Sequence, residues 1–555
     1  MPLYDSARMG RTRHPAWLVL IYSLWIATVC NIPLWREWSR MPELQSLRGL
    51  AVGAGFAITI AAAMVLLFSL LNWRWTLKPA ITLSLFAAAF GAHFMLSYGV
   101  VIDSTMLVNA LETDLRETRD LVNTQMLVTV LVMAVVPTVW LWRQRSPRRS
   151  ALRQIGGNLL TAVLALGVVV GSLLLIFQDF SSLMRNHTEQ RYLINPLNSF
   201  YALGDIAAQP FKRDARTILP IGLDAQLTAA PGKPPLLLLV VGETGRAGQF
   251  ALNGYARPTS PELAKEHIAS YRNAWSCGTN TAASVPCMFS HLGKPAYESR
   301  EANYEGLLDV LQRSGLGVVW IDNQAGCKGV CDRVPNTSTA LLKNKDLCVD
   351  GECFDEIMLS QMDARIAELP AERRAKGVVV LLHQMGSHGP AYYKRSPAAF
   401  KKFMPECASN NLQDCSQTLL VNAYDNTIVY TDHVLANAIQ WLKSKEAANS
   451  PALMYVADHG ESLGENNIYL HGLPYDIAPD VQKRVPWITW MSPAFEQRSH
   501  ATTTCLQKQQ DVRISHDNYF HSVLGLLGVK TSLYQPALDI FKVCTGPNKP
   551  GTSAT

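Results

Sequence analysis

A short stretch near the middle of the chain, residues 276–288, places hydroxyl side chains between two cysteines, Cys277 and Cys287. A bridge between these cysteines would hold the loop, and the helix start within it, in a fixed position. Among the hydroxyl residues between them, we choose Thr281 as the candidate nucleophile. A free threonine hydroxyl is a poor nucleophile and needs a base or a metal ion to lose its proton. The rest of the chain must therefore supply that group.

Residues of metal-ligand type follow two apolar runs that lie far apart in the sequence. Glu243 follows the first run, and Asp458 and His459 follow the second. A lone Asp-His pair is more often structural than a metal-ligand pair. Here, however, other apolar runs are also followed by residues that could bind a metal or a phosphate. Carboxylates and imidazole with an exchangeable fourth ligand suit a catalytic zinc ion. We therefore predict zinc bound by Glu243, Asp458, His459 and the Thr281 oxygen, where the metal lowers the hydroxyl pKa and orients the oxygen for attack at phosphorus.

Other polar residues follow the same kind of run or lie in loops nearby. His388 and His471 are candidates for a second metal site, for phosphate binding or for protonating a leaving oxygen. His383 is grouped with them, although we favour its interpretation as a buried partner of a metal ligand. Asn323 and Lys328 are candidates for neutralising phosphate charge. The alternative for His471 is an ordinary surface-loop histidine.

The segments that would position these side chains alternate short apolar runs with helical patterns. The runs span residues 236–241, 317–321, 378–382 and 453–456. They show little alternation of apolar and polar residues, which is typical of strands buried on both faces of a parallel sheet. The spacing between runs leaves room for crossover helices, so we predict an α/β domain with a mostly parallel sheet and helices on both faces. Ligand sites of such sheets lie at the carboxyl ends of the strands, where these residues occur.

The first third of the chain holds five apolar segments that are long enough to span a bilayer as helices. They are Trp17–Trp35, Leu50–Leu71, Ile81–Ile102, Met126–Trp142 and Leu159–Phe177. The loop at residues 143–153 is rich in arginine, and the loop after the third span is acidic on balance. The positive-inside rule therefore predicts a cytoplasmic N-terminus and an external location for everything after the fifth span. The basic first loop fits this rule poorly.

The loop after the third span carries a polar pattern of its own. Asn109, Thr113 and Glu117 recur every four residues, so a helix would place them on one face. This strip is either the solvated face of a short surface helix or a site for a lipid headgroup near the membrane.

Ten of the eleven cysteines lie in the polar part of the chain, and Cys30 alone lies in the apolar third. Pairing of near neighbours would join Cys277–Cys287, Cys327–Cys331, Cys348–Cys353, Cys407–Cys415 and Cys505–Cys544. Such disulfides indicate an oxidising compartment. A cysteine zinc site is the alternative, although the chain has no CxxC pair. The sequence leaves the connectivity open.

These patterns together predict three regions. They are a five-helix transmembrane domain over residues 1–180, interfacial helices and a linker over 181–235, and a catalytic domain over 236–555. The net charge of +6 is small for 555 residues and gives no sign of a nucleic-acid partner.

With these residues laid out, the chain resembles the bacterial phosphoethanolamine transferases that modify lipid A, the group that includes the mobile colistin-resistance enzymes. The resemblance covers nearly the whole chain and includes a periplasmic domain of the alkaline phosphatase/sulfatase superfamily. The motifs that carry it are VVGETGR (240–246), CGTNTAASVPCMFS (277–290), GCKGVCDRVP (326–335), SHGP (387–390), ADHGESLGE (457–465) and YLHG (469–472).

The resemblance implies a role for each candidate residue. Thr281 would be the nucleophile that carries phosphoethanolamine, and the primary zinc ligands would be Glu243, Asp458 and His459. Additional zinc or phosphate would bind His388 and His471, and the substrate pocket would include Asn323 and Lys328. Ethanolamine would bind at Asn109, Thr113 and Glu117. It also implies a zinc-dependent transfer of phosphoethanolamine from phosphatidylethanolamine to a lipid A phosphate, which would confer polymyxin resistance. The expected setting is the bacterial inner membrane, with the catalytic domain in the periplasm and a monomeric chain.

Three alternatives stay open. The same chemistry could serve another acceptor, such as core heptose, a periplasmic glucan or a protein. A membrane-anchored phosphodiesterase or sulfatase would let water take the second step, although a sulfatase is disfavoured because its CxPxR-type motif is absent. A non-catalytic membrane scaffold has no need for a zinc set and a nucleophile together.

Overall fold

A computed structural model of the chain describes residues 15–113, 115–144, 150–212, 214, 217–229, 232–342, 344–349 and 352–545. Side chains at residues 115–117, 209–212 and 341 lie outside this description. The fold has two compact units. The first comprises Met1–Leu107 and Val122–Ile206, and the second comprises Val108–Leu121 and Ala207–Thr555.

The regular structure that the N-terminal region shows among its described residues is helical, with short turns between the helices. Its helices are α1 Pro15–Thr28, α2 Ile32–Arg40, α3 Leu47–Leu70, α4 Leu77–Tyr98, α5 Ser104–Glu112, α6 Leu115–Leu121, α7 Thr124–Val130, α8 Val136–Arg143, α9 Ala151–Asn186 and α10 Leu197–Lys212. Among the described residues, five stretches are long and apolar enough to cross a membrane. They are Pro15–Arg40, Leu47–Leu70, Leu77–Tyr98, Thr124–Arg143 and Ala151–Asn186, which confirms the five predicted spans.

The fourth span shows how one residue shapes a membrane helix. Pro137 has no N–H to close the turn behind it, and the helix widens into a π turn over Leu131–Val135. In a regular α-helix, the N–H of residue 137 would donate to the Met133 carbonyl, and proline has no such group. The Met133 carbonyl accepts a hydrogen bond from Trp25 Nε1 at 3.2 Å. A neighbouring helix thus supplies a hydrogen bond to a carbonyl of the widened turn.

The second unit is built on an eight-stranded sheet. Its strands are β1 Pro235–Gly242, β2 Ile268–Trp275, β3 Gly317–Asp322, β4 Asn336–Ser338, β5 Val378–His383, β6 Ser450–Ala457, β7 Arg484–Met491 and β8 Ile514–Ser515. They lie side by side in the order β8-β2-β7-β6-β1-β5-β3-β4. The central strands β6, β1, β5 and β3 are mutually parallel, whereas β7 runs antiparallel to both β6 and β2. Every residue of these four central strands is buried, as the unbroken apolar runs predict.

Helices cover the sheet, which confirms the α/β class. They are α11 Thr281–Met288, α12 Lys294–Glu298, α13 Leu307–Arg313, α14 Glu356–Leu359, α15 Met362–Ala367, α16 Ala371–Lys376, α17 Gln417–Ser444, α18 Pro493–Ser499, α19 Thr503–Gln507 and α20 Tyr519–Leu527. The sequence reasoning missed the long strands β2 and β7. Polar residues interrupt β2, and Arg484 and Pro486 interrupt β7, so neither segment reads as a continuous apolar run.

Disulfides fasten the loops of this unit. The structure joins Cys277–Cys287, Cys327–Cys331, Cys348–Cys353, Cys407–Cys415 and Cys505–Cys544, in agreement with the near-neighbour pairing. Among the described cysteines, Cys30 alone is free, and it is buried. The rival cysteine zinc site is therefore wrong, because these sulfur atoms are used in covalent bonds.

Candidate active site

The carboxyl ends of the parallel strands converge on one edge of the sheet. Glu243 directly follows β1, Asn323 follows β3, and Asp458 follows β6. His383 is the last residue of β5, between β1 and β3. The sheet therefore brings together side chains that are up to 215 positions apart in the sequence, 243 to 458.

Thr281 lies at the first position of α11. Asn280 caps this helix by accepting a hydrogen bond from the Ala283 N–H at 2.9 Å, and the Cys277–Cys287 bridge ties the loop to the helix. Thr281 is only 3% exposed. Its Oγ1 lies 3.1 Å from Glu243 Oε2. The helix dipole favours negative charge at such a helix start.

Glu243, Asp458 and His459 form a buried cluster whose potential ligand atoms all lie within 4.8 Å of one another. The Nδ1 of His459 donates to the Gly460 carbonyl at 2.9 Å, so a neutral ring turns the lone pair of Nε2 towards the cluster. That nitrogen lies 3.4 Å from Thr281 Oγ1 and 3.3 Å from Asp458 Oδ2. The carboxylates, the imidazole and the hydroxyl thus meet at one point.

The charges of the cluster are balanced only through their mutual contacts. Burial and the charge of Glu243 raise the pKa of Asp458 to about 6. Burial opposes the charged form of His459 as well, but Asp458 and Glu243 outweigh it and raise the pKa of that imidazole to about 10. Without a metal, His459 therefore holds a proton that serves as the cation between two carboxylates.

The cluster fits a divalent cation. Asp458 Oδ2 is buried and accepts no hydrogen bond from the described residues, which leaves a charged oxygen open to a ligand. Two carboxylates, one imidazole nitrogen and a hydroxyl oxygen match the donor types of a catalytic zinc site. Glu243, Asp458, His459 and Thr281 are thus brought together as the sequence predicts.

Two further histidines lie beside this cluster. The ring centroid of His471 is 4.3 Å from that of His459 and 5.9 Å from that of His388. Glu461 Oε2 lies 3.2 Å from His471 Nδ1 and orients its ring. Burial lowers the pKa of His388 to about 3, so this ring is neutral at physiological pH. His471 is therefore part of the site environment rather than of an ordinary surface loop.

His383 and Asn323 are held by partners behind the cluster. His383 Nδ1 lies 3.0 Å from Asp322 Oδ2, whereas its Nε2 is buried without a hydrogen-bond partner among the described residues. Asn323 Nδ2 donates to the Cys353 carbonyl at 2.9 Å and to Asp355 Oδ1 at 2.8 Å. With both amide hydrogens used, Asn323 is placed better to position a loop than to contact phosphate, and its substrate-binding role stays a prediction.

Lys328 lies inside the small Cys327–Cys331 bridge and has a left-handed φ of +51°. Its Nζ donates to the carbonyls of Ala325 and Glu112, each at 3.3 Å. The side chain is largely buried, and its ammonium group is held by backbone oxygens rather than by a strong ion pair, with Glu112 Oε2 at 3.8 Å.

The polar strip of the membrane loop differs from its prediction. The spacing of Asn109, Thr113 and Glu117 predicts one helix, but α5 ends at Glu112 and α6 begins at Leu115. The prediction of one continuous helical face is therefore wrong. The Thr113 hydroxyl donates to the Asn109 carbonyl at 2.9 Å, a local bond that competes with helix continuation. Asn109 nevertheless reaches the site, since its Oδ1 lies 3.4 Å from the Ala282 N–H. The Glu117 side chain lies outside the described residues.

Sequence reasoning missed Asp355, which shapes the loop at residues 385–390. The Oδ1 of Asp355 accepts from the Met385 N–H at 2.8 Å, and its Oδ2 accepts from the Gly386 N–H at 2.9 Å. This loop then leads into His388. Asp355 follows Cys353 closely, but nothing in the one-dimensional pattern marks it as a loop support. Glu461 lies in the ADHGESLGE motif, but its contact with His471 becomes evident only in three dimensions.

Comparisons with known proteins give matches over nearly the whole chain. The family model described as sulfatase matches residues 235–529, and the model described as phosphoethanolamine transferase EptA/EptB matches residues 60–211. The phosphoethanolamine transferase EptA of Escherichia coli (strain K12) is 40% identical over 544 residues, which is 95% of this chain and 96% of the relative. The phosphatidylethanolamine transferase Mcr-1 of Escherichia coli is 37% identical over 562 residues, which is 95% of this chain and 98% of that protein.

A solved structure matches equally far. The integral membrane lipooligosaccharide phosphoethanolamine transferase A of Neisseria meningitidis is similar with a TM-score of 0.90 and 31% identity. The match covers 97% of this chain and 100% of that one. The likeness therefore extends over the apolar helices as well as over the α/β part.

Proposed function

Because the chain belongs to the EptA/Mcr family of phosphoethanolamine transferases and is thus a membrane-bound enzyme, we propose that it moves phosphoethanolamine from phosphatidylethanolamine to a phosphate of lipid A. The transfer passes through phosphoethanolamine-threonine at Thr281. Polymyxin resistance follows from this function, since the added ammonium group lowers the negative charge that attracts cationic peptides.

The observation that carries this proposal is the position of the Thr281 hydroxyl. It lies 3.1 Å from Glu243 Oε2 in a buried cluster, at a helix start that favours anions. Glu243 accepts the hydrogen bond of the hydroxyl and thereby fixes the direction of its lone pairs. A phosphate diester placed before α11 would meet an oriented oxygen nucleophile and the positive end of the helix dipole at the same time.

The reaction has two displacements at phosphorus. In the first, Thr281 Oγ1 bonds to phosphorus, the bond to the glycerol oxygen breaks, and diacylglycerol leaves with a proton. That proton is the one lost by the Thr281 hydroxyl, and His471, beside His459, is placed to relay it to the leaving oxygen. In the second, an oxygen of a lipid A phosphate gives up its proton and bonds to phosphorus, the bond to Thr281 breaks, and the acceptor's proton returns to the threonine oxygen.

Zinc is the cofactor we propose for Glu243, Asp458, His459 and Thr281. When bound, zinc would lower the pKa of the attacking hydroxyl and neutralise charge on the phosphoryl group. His383, behind the cluster, acts as a buried support, and a second zinc or the substrate phosphate would contact His388 and His471. Lys328 belongs to the substrate pocket in this proposal, and Asn323 supports that pocket by positioning its loop. Asn109, Thr113 and Glu117 belong to the ethanolamine site.

The compartment follows from the disulfides and the loop charges. Five disulfides in the second unit require an oxidising compartment. We place the N-terminus in the cytoplasm, the catalytic domain of residues 236–555 in the periplasm, and the region 181–235 along the inner-membrane surface. The enzyme acts as a monomer in this proposal. A membrane anchor keeps the enzyme near two bilayer-embedded substrates and so raises its effective concentration there.

Mass spectrometry of lipid A tests the proposal. Cells that express the wild type should gain a phosphoethanolamine increment on lipid A, and Thr281→Ala should abolish it. Thr281→Ser is the matched control, because it keeps a hydroxyl and should retain part of the activity. The same increment with Thr281→Ala would exclude Thr281 as the nucleophile.

The remaining candidates give different products in the same experiment. Transfer to another acceptor would leave lipid A unmodified and add the increment to a core sugar, a glucan or a protein. A phosphodiesterase would release free phosphoethanolamine. Absence of bound zinc in the purified wild type, together with absence of any product, would favour a scaffold.

A further inference from the structure

A single buried guanidinium, that of Arg395, joins three separate segments of the second unit. Its Nε donates to the His388 carbonyl at 2.9 Å. Its Nη1 donates to Glu352 Oε2 at 2.7 Å, and its Nη2 donates to Asp120 Oδ2 at 2.8 Å. Each arm of the side chain is therefore used by a different partner. The partners belong to the loop at 385–390, to the disulfide-closed ladder of Cys348–Val349 and Glu352–Cys353, and to the membrane-loop helix α6.

The charges around Arg395 are matched inside the protein. Asp120 is 3% exposed, and its second carboxylate oxygen accepts from Lys394 Nζ at 2.5 Å. Two carboxylates, of Asp120 and Glu352, thus face the two cations of Arg395 and Lys394. In addition, Asn410 Nδ2 donates to the Asp120 carbonyl at 2.8 Å. Removing one partner of such a buried set leaves the others uncompensated, so the geometry is strongly specified.

The same membrane-loop segment, residues 108–121, makes its other contacts at the active site. Asn109 lies 3.4 Å from the Ala282 N–H beside the nucleophile, and Glu112 lies near Lys328. These contacts are long or partly exposed, whereas the contacts of Asp120 are short and its carboxylate is buried. Asp120 therefore makes short polar contacts that tie this segment to three residues elsewhere in the unit.

We propose that the Asp120–Arg395 ion pair is a positioning device that fastens residues 108–121 beside Thr281 and so completes the donor site. Neither residue touches the reacting atoms. Arg395 acts through two routes, the His388 carbonyl on one side and the Asn109-bearing segment on the other. The inference rests on the proposed function in one respect, since it assigns Asn109 to recognition of the donor headgroup.

Asp120→Asn in the full-length protein tests this inference with two readouts. Hydrogen–deuterium exchange should rise in residues 108–121, because the anchor loses its charge. The KM for phosphatidylethanolamine in detergent micelles should rise about tenfold or more, with a smaller change in kcat, since a loosened segment misplaces binding groups. Glu266→Gln is the control. It removes one charge from an ion pair of similar length, since Lys443 Nζ lies 2.6 Å from Glu266 Oε2, and neither residue of that pair belongs to the site. The control should change neither readout.

A double-mutant cycle separates positioning from general stability. If Asp120 acts by placing Asn109, Asn109→Ala should raise KM in the wild type but have little further effect in Asp120→Asn. Fully additive effects would overturn the inference, as would exchange in residues 108–121 that stays at the wild-type level. Faster exchange with unchanged kinetics would also overturn it.

Two further arrangements keep the test decisive. If Asp120→Asn does not fold, Lys394→Gln removes only the half-exposed partner and should shift both readouts in the same direction by a smaller amount. If the wild type transfers nothing from phosphatidylethanolamine, the proposed function fails. The exchange measurement then still decides whether Asp120 is the anchor.

Discussion

Gly386→Ala should damage the active site through one added methyl group. Gly386 has a φ of +51°, and a Cβ at this position would lie 2.6 Å from the Glu243 carbonyl oxygen and 3.0 Å from its nitrogen. Real Cβ atoms do not approach backbone below 3.0 Å, so the Glu243 backbone must recede by about 0.4 Å at least, the difference between 3.0 and 2.6 Å. The displaced residue is a proposed metal ligand and the hydrogen-bond partner of Thr281.

The magnitude has two parts. The left-handed conformation costs a residue with a Cβ about 1–2 kcal/mol. Forcing a methyl group into a packed contact costs about 1–3 kcal/mol more. A displacement of about 1 Å in a catalytic group can cost about 10²-fold in rate, so a smaller shift of Glu243 should reduce kcat/KM about tenfold. Gly254→Ala is the matched control, because Gly254 has a φ of +95° and no atom within 4 Å of its added Cβ.

The assay compares both variants as purified full-length protein in detergent. Thermal unfolding measures stability, and the rate of transfer from a labelled phosphatidylethanolamine measures catalysis. Gly254→Ala should lose only the conformational part of the stability and keep its activity. Gly386→Ala should lose more stability and most of its activity. Equal behaviour of the two variants in both measurements would refute the reasoning.

Three further outcomes follow from the site and its surroundings. Chelation should lower the thermal midpoint, because the folded state would lose the binding free energy of the metal, and added zinc should restore the midpoint by mass action. A midpoint insensitive to both treatments would contradict a metal site. Burial lowers the pKa of His516 to about 3, so its neutral ring contributes fully above pH about 6.5 and this stability is lost as the pH falls towards 3. Urea unfolding between pH 4 and 7 measures this effect. The free energy of unfolding should change less steeply with pH in His516→Gln than in the wild type, and an equal slope in the two proteins would contradict this assignment. Replacing Cys327 and Cys331 together by serine should raise KM more than it lowers kcat, because Lys328 between them loses its fixed φ of +51°. Steady-state kinetics measures both constants, on a variant whose folded fraction equals that of the wild type.

The sequence was most informative where one physical rule dominates. Apolar runs without alternation identified β1, β3, β5 and β6, because strands buried on both faces have no polar side. Since these strands are parallel, the residues after them meet at one edge, and Glu243 and Asp458 could be placed together before any coordinates. Length and apolarity likewise predicted the five membrane spans.

The rest depends on contacts that leave no local pattern. Strands β2 and β7 carry polar residues and were not recognised. The spacing of Asn109 and Thr113 predicted an unbroken helix, but a hydroxyl-to-carbonyl bond and the tertiary contacts of Asp120 override that periodicity. Asp355 was missed because a carboxylate that caps two amide groups looks like any other acidic residue in a loop.

Each disulfide of the second unit joins one cysteine to the next along the chain, with separations of 10, 4, 5, 8 and 39 residues. As the polypeptide is exported, every thiol therefore meets its correct partner before a wrong one has emerged. We expect maturation to require an oxidant that acts in order of emergence and no enzyme that reshuffles mispaired bonds. Cys30 is buried in an apolar cluster and takes no part in this disulfide formation. A host that lacks an isomerase but keeps a dithiol oxidase should still make the active protein.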